Sequence, residues 1–556
     1  MKLIECVPNI SEGRDPAVIQ AVTAEIEGIE GVQLLDVDPG QATNRTVITF
    51  AGTPEPVLEA AFRVIRKAAE LIDMSRHEGA HARMGATDVC PFVPMQGATM
   101  QDCVELAERL GKRVGDELGL PIFLYGEAAR TPERRRLPDI RQGEYEALEQ
   151  KLSDPGFAPD CGPATFNARA GATAIGAREF LIAWNVNLNT RNRKMANKIA
   201  AELREQGKLK RDANNKFVRD ADGKALRTPG RFTELQGGGW YIDEYGRAQI
   251  SFNLMNYRIT SIQDVYDACC EEADKLGVRV TGSELVGLIP LEAILSAGDH
   301  YLRKEGATTG VSESERIHAA TLSMGLAELA PFEPEKNIIE LRYRGAPSGL
   351  QAMTVRDFAD ELASDSPAPG GGSVAALCGS LAAALAAMVA ALTWNKKGME
   401  SARPEMGEIG VDGHALKAWF VDAIDADTDA FNAVLAAGRL PKRTEAQQAV
   451  RDRALEEANQ GATRVPLRVL QKSVEAIVLC SRAAEKGNPN SVSDAAVGAA
   501  CGLAAAEGAA LNVRINLPTL HDQEVADEIR KEMGQAIKEA RQRAAAVAAM
   551  VDADLD

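Results

Sequence analysis

Two of the chain's six histidines, His77 and His81, lie four residues apart in SRHEGAHARMGATDVCPF. His77-Glu78-Gly79-Ala80-His81 reads literally as HExxH, the order in which two imidazoles on one helical face bind zinc. Gly79 and Gly85 weaken any helix there, and the sequence offers no third ligand. The alternative is an imidazole in a glycine-rich loop of an α/β scaffold, which accepts a proton near pH 7 and returns it in a later step. Both histidines can equally be polar loop residues.

A second group of titratable side chains is DAIDADTDAF, with Asp422, Asp425, Asp427 and Asp429. On a helix, Asp422, Asp425 and Asp429 share a face that reads as solvated, while Asp427 points elsewhere. Facing a core, Asp427 would have a raised pKa and could shuttle protons. Upstream, PAPGGGS (367–373) offers bare backbone for close approach to a ligand, and Ser373 can cap the helix that follows. A plain hinge and cap is the other reading. In the stretch 487–517, Asn488, Ser493, Asp494, Asn512 and Asn516 can line a polar pocket or serve as caps and interhelical links.

The elements that must position these groups change class along the chain. KLIECVP, VQLLDVD, RTVITF, ATDVCPFVPM, PIFLYGEAA, FLIAWNVNL, RAQISFNLMNYRIT and RVTGSELVGLIP read as strands between helical stretches such as PVLEAAFRVIRKAAELID. The polar run 208–232 reads as an exposed insertion or hairpin. After residues 342–349, which read as a linker, strand signals vanish. Helical patterns follow at 353–364, 374–394, 412–437, 444–485, 491–511 and 522–552, an all-α bundle. The expected organisation is α/β followed by all-α: subdomains 1–180 and 181–341, the linker, and a helical domain 350–556.

Composition narrows the class. The chain has 556 residues, a formal charge of −17, 45% hydrophobic and 5% aromatic residues. Such an acidic chain does not build the broad basic surface of a nucleic-acid binder. Nine cysteines without a CxxC pair suit a reducing cytosol rather than a disulfide framework or a zinc knuckle. The N-terminus shows no signal-peptide pattern. Residues 366–395 carry no formal charge, but their larger apolar residues, Leu377, Leu381, Leu385, Met388, Val389 and Leu392, form one stripe on an alanine-rich helix. That pattern reads as a soluble, tightly packed helix rather than a membrane span.

Several blocks carry a resemblance. ECVPNISEG, LLDVDPGQATNRTVITF, DMSRHEGAHARMGATDVCPFVP, LYGEAA, IRQGEYEAL, GATAIGAREFLIAWNVNL, GGGWYIDE and LVGLIPLEAI run in order from residue 5 to residue 294. They resemble the glutamate formiminotransferase family. PAPGGGSVAA, IDADTDAF, LPK, VPL, SDAAVGA and NVRIN resemble the formiminotetrahydrofolate cyclodeaminases, related to bacterial methenyltetrahydrofolate cyclohydrolase. Their order matches the bifunctional formimidoyltransferase-cyclodeaminases.

The resemblance implies two α/β subdomains with tetrahydrofolate bound between them, then a helical-bundle cyclodeaminase. It implies transfer of a formimino group from N-formimino-L-glutamate to N5 of tetrahydrofolate, then cyclisation to 5,10-methenyltetrahydrofolate with loss of ammonia, in histidine degradation. His81 and Asp427 take the two catalytic positions. Ala82 stands where the family often has proline. The folate-binding stretch falls on Gly162, Pro163, Ala164, Thr165, Phe166, Asn167, Ala168, Arg169, Ala170 and Gly171, with Phe166 a candidate to stack on the pterin. Arg45, Arg83 and Arg169 are candidates for substrate carboxylates, or structural ion pairs. Asp38 is a candidate partner for His81 or the pterin, or a turn cap before Pro39-Gly40. Tetrahydrofolate is the expected co-substrate, with no metal or redox cofactor, no nucleic-acid partner and no membrane span. A cytoplasmic homo-oligomer, octameric by resemblance, is expected. A chain keeping one activity, or a folate-binding scaffold without turnover, are the alternatives.

Overall fold

The computed structural model describes every residue except Met1, Ala42, Ala213, Asn215, Ala221, Asp222, Glu244, Ala346, Pro347, Ser348, Ser366, Pro367 and Asp556, and the side chains of Asp554 and Leu555. Parts of the 208–232 insertion, the linker, GGGWYIDE and PAPGGGS therefore lie outside the described residues. By packing, the chain forms two compact units: residues 1–297 with 321–345, and residues 298–320 with 346–556. By its contacts the segment 298–320 groups with the helical unit.

The first unit opens with strands β1 (Ile4–Cys6), β2 (Asn9–Ile10), β3 (Val32–Gly40), β4 (Arg45–Gly52), β5 (Thr87–Pro94), β6 (Ile122–Gly126) and β7 (Thr173–Ala177). Their sheet runs β1-β4-β2-β5-β7-β6, with β3 on β4; β5, β7 and β6 are parallel and the other pairings antiparallel. Helices α1 (Pro16–Glu27), α2 (Pro54–Leu71) and α3 (Met100–Leu118) bury Val22, Ile26, Phe62, Ile65, Leu106 and Leu110 against Ile4, Phe50 and Phe92. Asp15 caps α1, and Thr99 with Asp102 closes a capping box on α3, whereas α2 starts on Pro54 without a side-chain cap. Two short helices, α4 (Leu137–Ile140) and α5 (Leu148–Leu152), follow β6.

A second, four-stranded antiparallel sheet is ordered β11-β12-β8-β13, from β8 (Ile182–Leu188), β11 (Leu235–Ile242), β12 (Arg247–Leu254) and β13 (Val280–Val286). The small hairpin β9 (Lys208–Leu209) and β10 (Arg227–Thr228) lies in the polar insertion. Helices α6 (Arg193–Leu203) and α7 (Ile262–Lys275) accompany this sheet, and α8 (Leu291–Lys304), α9 (Glu313–Met324), α10 (Pro334–Asn337) and α11 (Ile339–Arg344) follow.

The second unit is helical: α12 (Val355–Leu362), α13 (Gly371–Trp394), α14 (Arg403–Gly438), α15 (Glu445–Lys486), α16 (Val492–Asn516) and α17 (Gln523–Leu555). Two segments, Gly371–Trp394 and Pro489–Thr519, are long and apolar enough to cross a membrane, but α13 packs on α14, α15 and α16. Small residues set those contacts. A Cβ at Gly498 or Gly502 would press on Cys480 or Ile477, and one at Gly379 would enter the Phe420 ring. The faces of α13 that meet its neighbours are Ala375, Ala376, Ala382, Ala383, Ala386 and Ala390, whereas Leu381, Met388 and Leu392 of the large apolar stripe are exposed.

Candidate active sites

His81 sits in the non-helical loop between α2 and β5, where both flanks are pinned. Gly79 lies so close to the chain at 43–44 that a Cβ would stand 2.2 Å from the Thr43 carbonyl oxygen. Asn44 accepts the Gly13 N–H (3.0 Å) through its side-chain oxygen and donates to the Glu78 carbonyl (3.0 Å). Because the loop is not helical, His77 and His81 do not share a helical face as an HExxH zinc site requires. His77 is held at Nε2 by the Asn44 carbonyl (2.9 Å) and at Nδ1 by the Arg83 guanidinium (3.3 Å).

The imidazole of His81 is half-buried, and its Nδ1 is 2.7 Å from the Ala82 carbonyl oxygen. A carbonyl only accepts, so Nδ1 carries the hydrogen and Nε2 presents its lone pair. Burial lowers the ring's pKa below the usual 6.5, and Arg45 and Arg141 push it the same way against the Ala82 bond and Asp88. The ring is therefore a neutral base at pH 7.

Beneath it, Asp88 on β5 is fully buried and bonded by both Arg45 (2.5 Å) and Arg141. Burial works against its charge, but the two guanidiniums win and hold its carboxyl below the usual range. Arg45 is therefore in an ion pair, with Asn9 accepting from its Nε (3.0 Å). Arg83 is committed too, donating to Glu144 (3.0 Å) and Glu146 (2.6 Å). Arg83, Glu144 and Glu146, with Glu78, Gly79 and Gly143, line a cleft of about 450 Å³. Arg169 donates to the Glu70 carbonyl (2.6 Å). Asp38 is exposed on β3 opposite Val47, so it caps no turn, and it makes no bond to His81.

The stretch Gly162 to Gly171 is a surface loop anchored at both ends by glycines with positive φ (77° and 68°), whose missing side chains admit the Leu120 and Met84 carbonyls. Pro163, Ala164 and Thr165 are exposed, and Ala170 is buried. Phe166 packs on Tyr145 with ring centroids 5.5 Å apart. Asn167 accepts the Arg169 and Ala170 N–H groups, and the Ala168 carbonyl accepts the Tyr145 hydroxyl. Tyr145, Arg141, Asp88, Glu144 and Glu146 gained no role from the sequence; they stand within the quoted blocks, and only the fold shows their partners.

In the second unit, Asp427 of α14 rests on the first turn of α13. A Cβ on Gly372 would lie 2.1 Å from its Oδ1 and 2.3 Å from its Oδ2. Burial raises its pKa above the usual 3.8, opposed by a hydrogen bond from the Ser373 backbone N–H. Ser373 does not cap α13 as expected: the helix already starts at Gly371, and the fully buried Ser373 hydroxyl donates to the Ile424 carbonyl (2.9 Å). Asp422 and Asp429 are exposed, but Asp425 accepts the Leu350 N–H (2.8 Å) and is more than a solvated carboxylate. The five polar residues of 487–517 do not share one pocket. Asn488 and Asp494 lie at the start of α16; Asn512 and Asn516 lie at its other end, where Asn512 stands beside Gly371 and Asn516 donates to Ala462 (2.9 Å).

Residues 3–178 match the formiminotransferase domain, N-terminal subdomain; residues 183–344 match the formiminotransferase domain; and residues 354–535 match formiminotransferase-cyclodeaminase. The formimidoyltransferase-cyclodeaminase of Sus scrofa is 42% identical over 554 residues, covering 98% of each chain. The chain belongs to the formimidoyltransferase-cyclodeaminase family. Family members of one part also align. A glutamate formimidoyltransferase of Streptococcus pyogenes serotype M1 is 39% identical over 304 residues, covering 55% of this chain and 94% of its own. A methenyltetrahydrofolate cyclohydrolase of Methylorubrum extorquens is 38% identical over 187 residues, covering 34% of this chain and 90% of its own. The chain is thus a multifunctional folate enzyme of this family, with two α/β subdomains followed by a helical domain.

Proposed function

We propose that the chain carries both reactions of the family: formimino transfer from N-formimino-L-glutamate to N5 of tetrahydrofolate, then cyclisation to 5,10-methenyltetrahydrofolate with release of ammonia, in histidine degradation. The observation that carries this reading is the pair of proton-handling groups, His81 and Asp427, each set by its surroundings for the step it must perform. Tetrahydrofolate is the co-substrate, and the loop 162–171 is its proposed contact.

In the first reaction N5 attacks the formimino carbon. The bare Nε2 of neutral His81 takes the N5 proton as the tetrahedral adduct forms. The imidazolium then gives that proton to the glutamate nitrogen as its bond to carbon breaks. A lowered pKa suits both halves, since it keeps the base free and makes the imidazolium a ready acid.

In the second reaction N10 attacks the same carbon of 5-formiminotetrahydrofolate. Asp427 passes the N10 proton to the departing nitrogen, and ammonia leaves. A carboxyl with a raised pKa exchanges protons nearer neutrality than an ordinary aspartate. The lyase assignment of the second domain follows from this step. Tethering keeps the first product at high local concentration for the second site.

The chain's place in the cell and its assembly belong to the same reading. All nine cysteines are free thiols, which fits the cytoplasm. The exposed Leu381, Met388 and Leu392 of α13 and the exposed Val497, Leu511 and Ile515 of α16 fit an assembly of like subunits, octameric as in the family resemblance. Purified protein given N-formimino-L-glutamate and tetrahydrofolate should yield methenyltetrahydrofolate absorbance and ammonia together. Glutamate without ammonia would leave only the transferase; binding without turnover would leave the scaffold reading.

A further inference from the structure

The Arg45–Asp88–Arg141 cluster holds more positive charge than it neutralises. Side-chain exposure is 9% for Arg45, 0% for Asp88 and 12% for Arg141. Arg141 reaches both carboxylate oxygens of Asp88, through Nε (3.3 Å) and Nη2, and Arg45 reaches Oδ2 through Nη1. The Met84 N–H adds a fourth bond, to Oδ1 (2.9 Å). One carboxylate is thus shared by two guanidiniums, and the group carries a net charge of about +1 nearly out of water. Arg45 Nη2 and Arg141 Nη1 bond no protein atom among the described residues. Glu144 and Glu146 share the single guanidinium of Arg83, so that group carries about −1, but neither glutamate bonds Arg45 or Arg141. A buried surplus charge is costly unless an anion completes it.

We infer that Arg45 and Arg141 form a carboxylate subsite for the formimino donor, with Asp88 as the positioning residue that fixes both guanidiniums. This rests on the transferase reading above. The donor's α-carboxylate is two bonds from the nitrogen that must leave, so an anion held beside His81 lies within reach of the reacting carbon. The tail carboxylates of a folate are separated from N5 by the aminobenzoyl group and fit such a position poorly. Arg45, Arg141, Asp88 and the Ala82 carbonyl are the groups that act on the His81 ring. A bound carboxylate would cancel the surplus of the two arginines and raise the proton affinity of His81, so donor binding strengthens the base it needs.

The test uses the full chain, Arg141→Gln and Arg141→Lys. Glutamate release is followed while the donor and tetrahydrofolate are varied separately, with glutarate as a dead-end competitor. The expected result for Arg141→Gln is a rise of about tenfold or more in donor KM and glutarate inhibition constant. Tetrahydrofolate KM should stay within about twofold, Arg141→Lys should recover part of the loss, and the acid limb of kcat/KM should move to higher pH. Unchanged donor KM and glutarate inhibition would overturn the inference. A rise confined to tetrahydrofolate or its polyglutamates would overturn it too, by giving the subsite to the folate tail. If the unmodified chain released no glutamate, the transferase reading itself would fail. Calorimetric titration of glutarate into the unmodified and Arg141→Lys chains would then still read the subsite. Cyclodeamination of supplied 5-formiminotetrahydrofolate in the same preparations reports whether each variant is folded.

Discussion

The carboxylate of Asp427 occupies the space that a side chain at Gly372 would fill, with its oxygens 2.1 and 2.3 Å from the position of a Cβ there. Gly372 is helical and fully enclosed, so neither the backbone nor the carboxylate can give way without loss of the contact. Gly372→Ala should therefore expel Asp427 from its place. Cyclodeamination of supplied 5-formiminotetrahydrofolate should fall by about a hundredfold, close to the effect of Asp427→Asn, while glutamate release stays unchanged. Equal rates for the alanine variant and the parent would remove Asp427 from the proposed role.

Replacing His81 by asparagine should cut glutamate release by about 10² to 10⁴ fold and leave ammonia release from supplied 5-formiminotetrahydrofolate intact. The pH profile has a defined sign. With a pKa below 6.5, His81 is neutral at pH 7, so kcat/KM should be flat there and fall only as acid protonates the ring below that value. A midpoint above 6.5 would contradict the environment described for the ring.

Glu5 gives a stability prediction. It is 4% exposed on β1, and its pKa is raised to about 7, by burial first, with Arg178 opposing and Glu340 adding to the rise. Between pH 4.5 and 7 the folded chain keeps a proton that the unfolded chain has lost, so folding weakens as pH rises through that window. Glu5→Gln removes the dependence. Urea unfolding should show the variant more stable than the parent at pH 8, by up to about 3 kcal/mol, and little different at pH 4.5. Parallel pH dependence in both proteins would count against the shift.

On α16, Leu511 is 61% and Ile515 is 74% exposed, one helical turn apart. Leu511→Glu with Ile515→Glu should leave the helical unit folded, since neither side chain is in its core. Light scattering should then report a smaller assembly than the parent. An unchanged mass would place the interface elsewhere.

The change of class at the linker was legible because strand alternation stops there and small-residue helices begin. Helix limits were less so. The helical pattern reads from 412, yet α14 is continuous from Arg403, with Gly410 and Gly413 standing where Gly310 and the α13 backbone approach. The large apolar stripe of α13 is the conspicuous feature of its sequence, yet Leu381, Met388 and Leu392 of it are exposed. The neighbouring helices instead come close against alanine and glycine, which no hydropathy pattern favours. At the first site, the loop around His81 stood out by its glycines and its resemblance. The pairing of Asp88 with two arginines did not, because a carboxylate inside a strand reads like any other polar residue until the fold brings Arg45 and Arg141 to it. Asp427 was marked by helical phase and by the resemblance; that it rests on Gly372 required the tertiary contact.

The chain passes between its two packing units three times, after residues 297, 320 and 345. Dissection at the linker is consequently not a clean separation. A fragment beginning at residue 346 lacks 298–320 and loses the Gly310 backbone that lies against Gly410, so it would emerge with a bare patch on α14. A fragment ending at residue 345 would carry the segment 298–320 without the helices it packs with. Separately expressed halves would each be judged unstable for a reason unrelated to catalysis, unless residues 298–320 are supplied to the helical half.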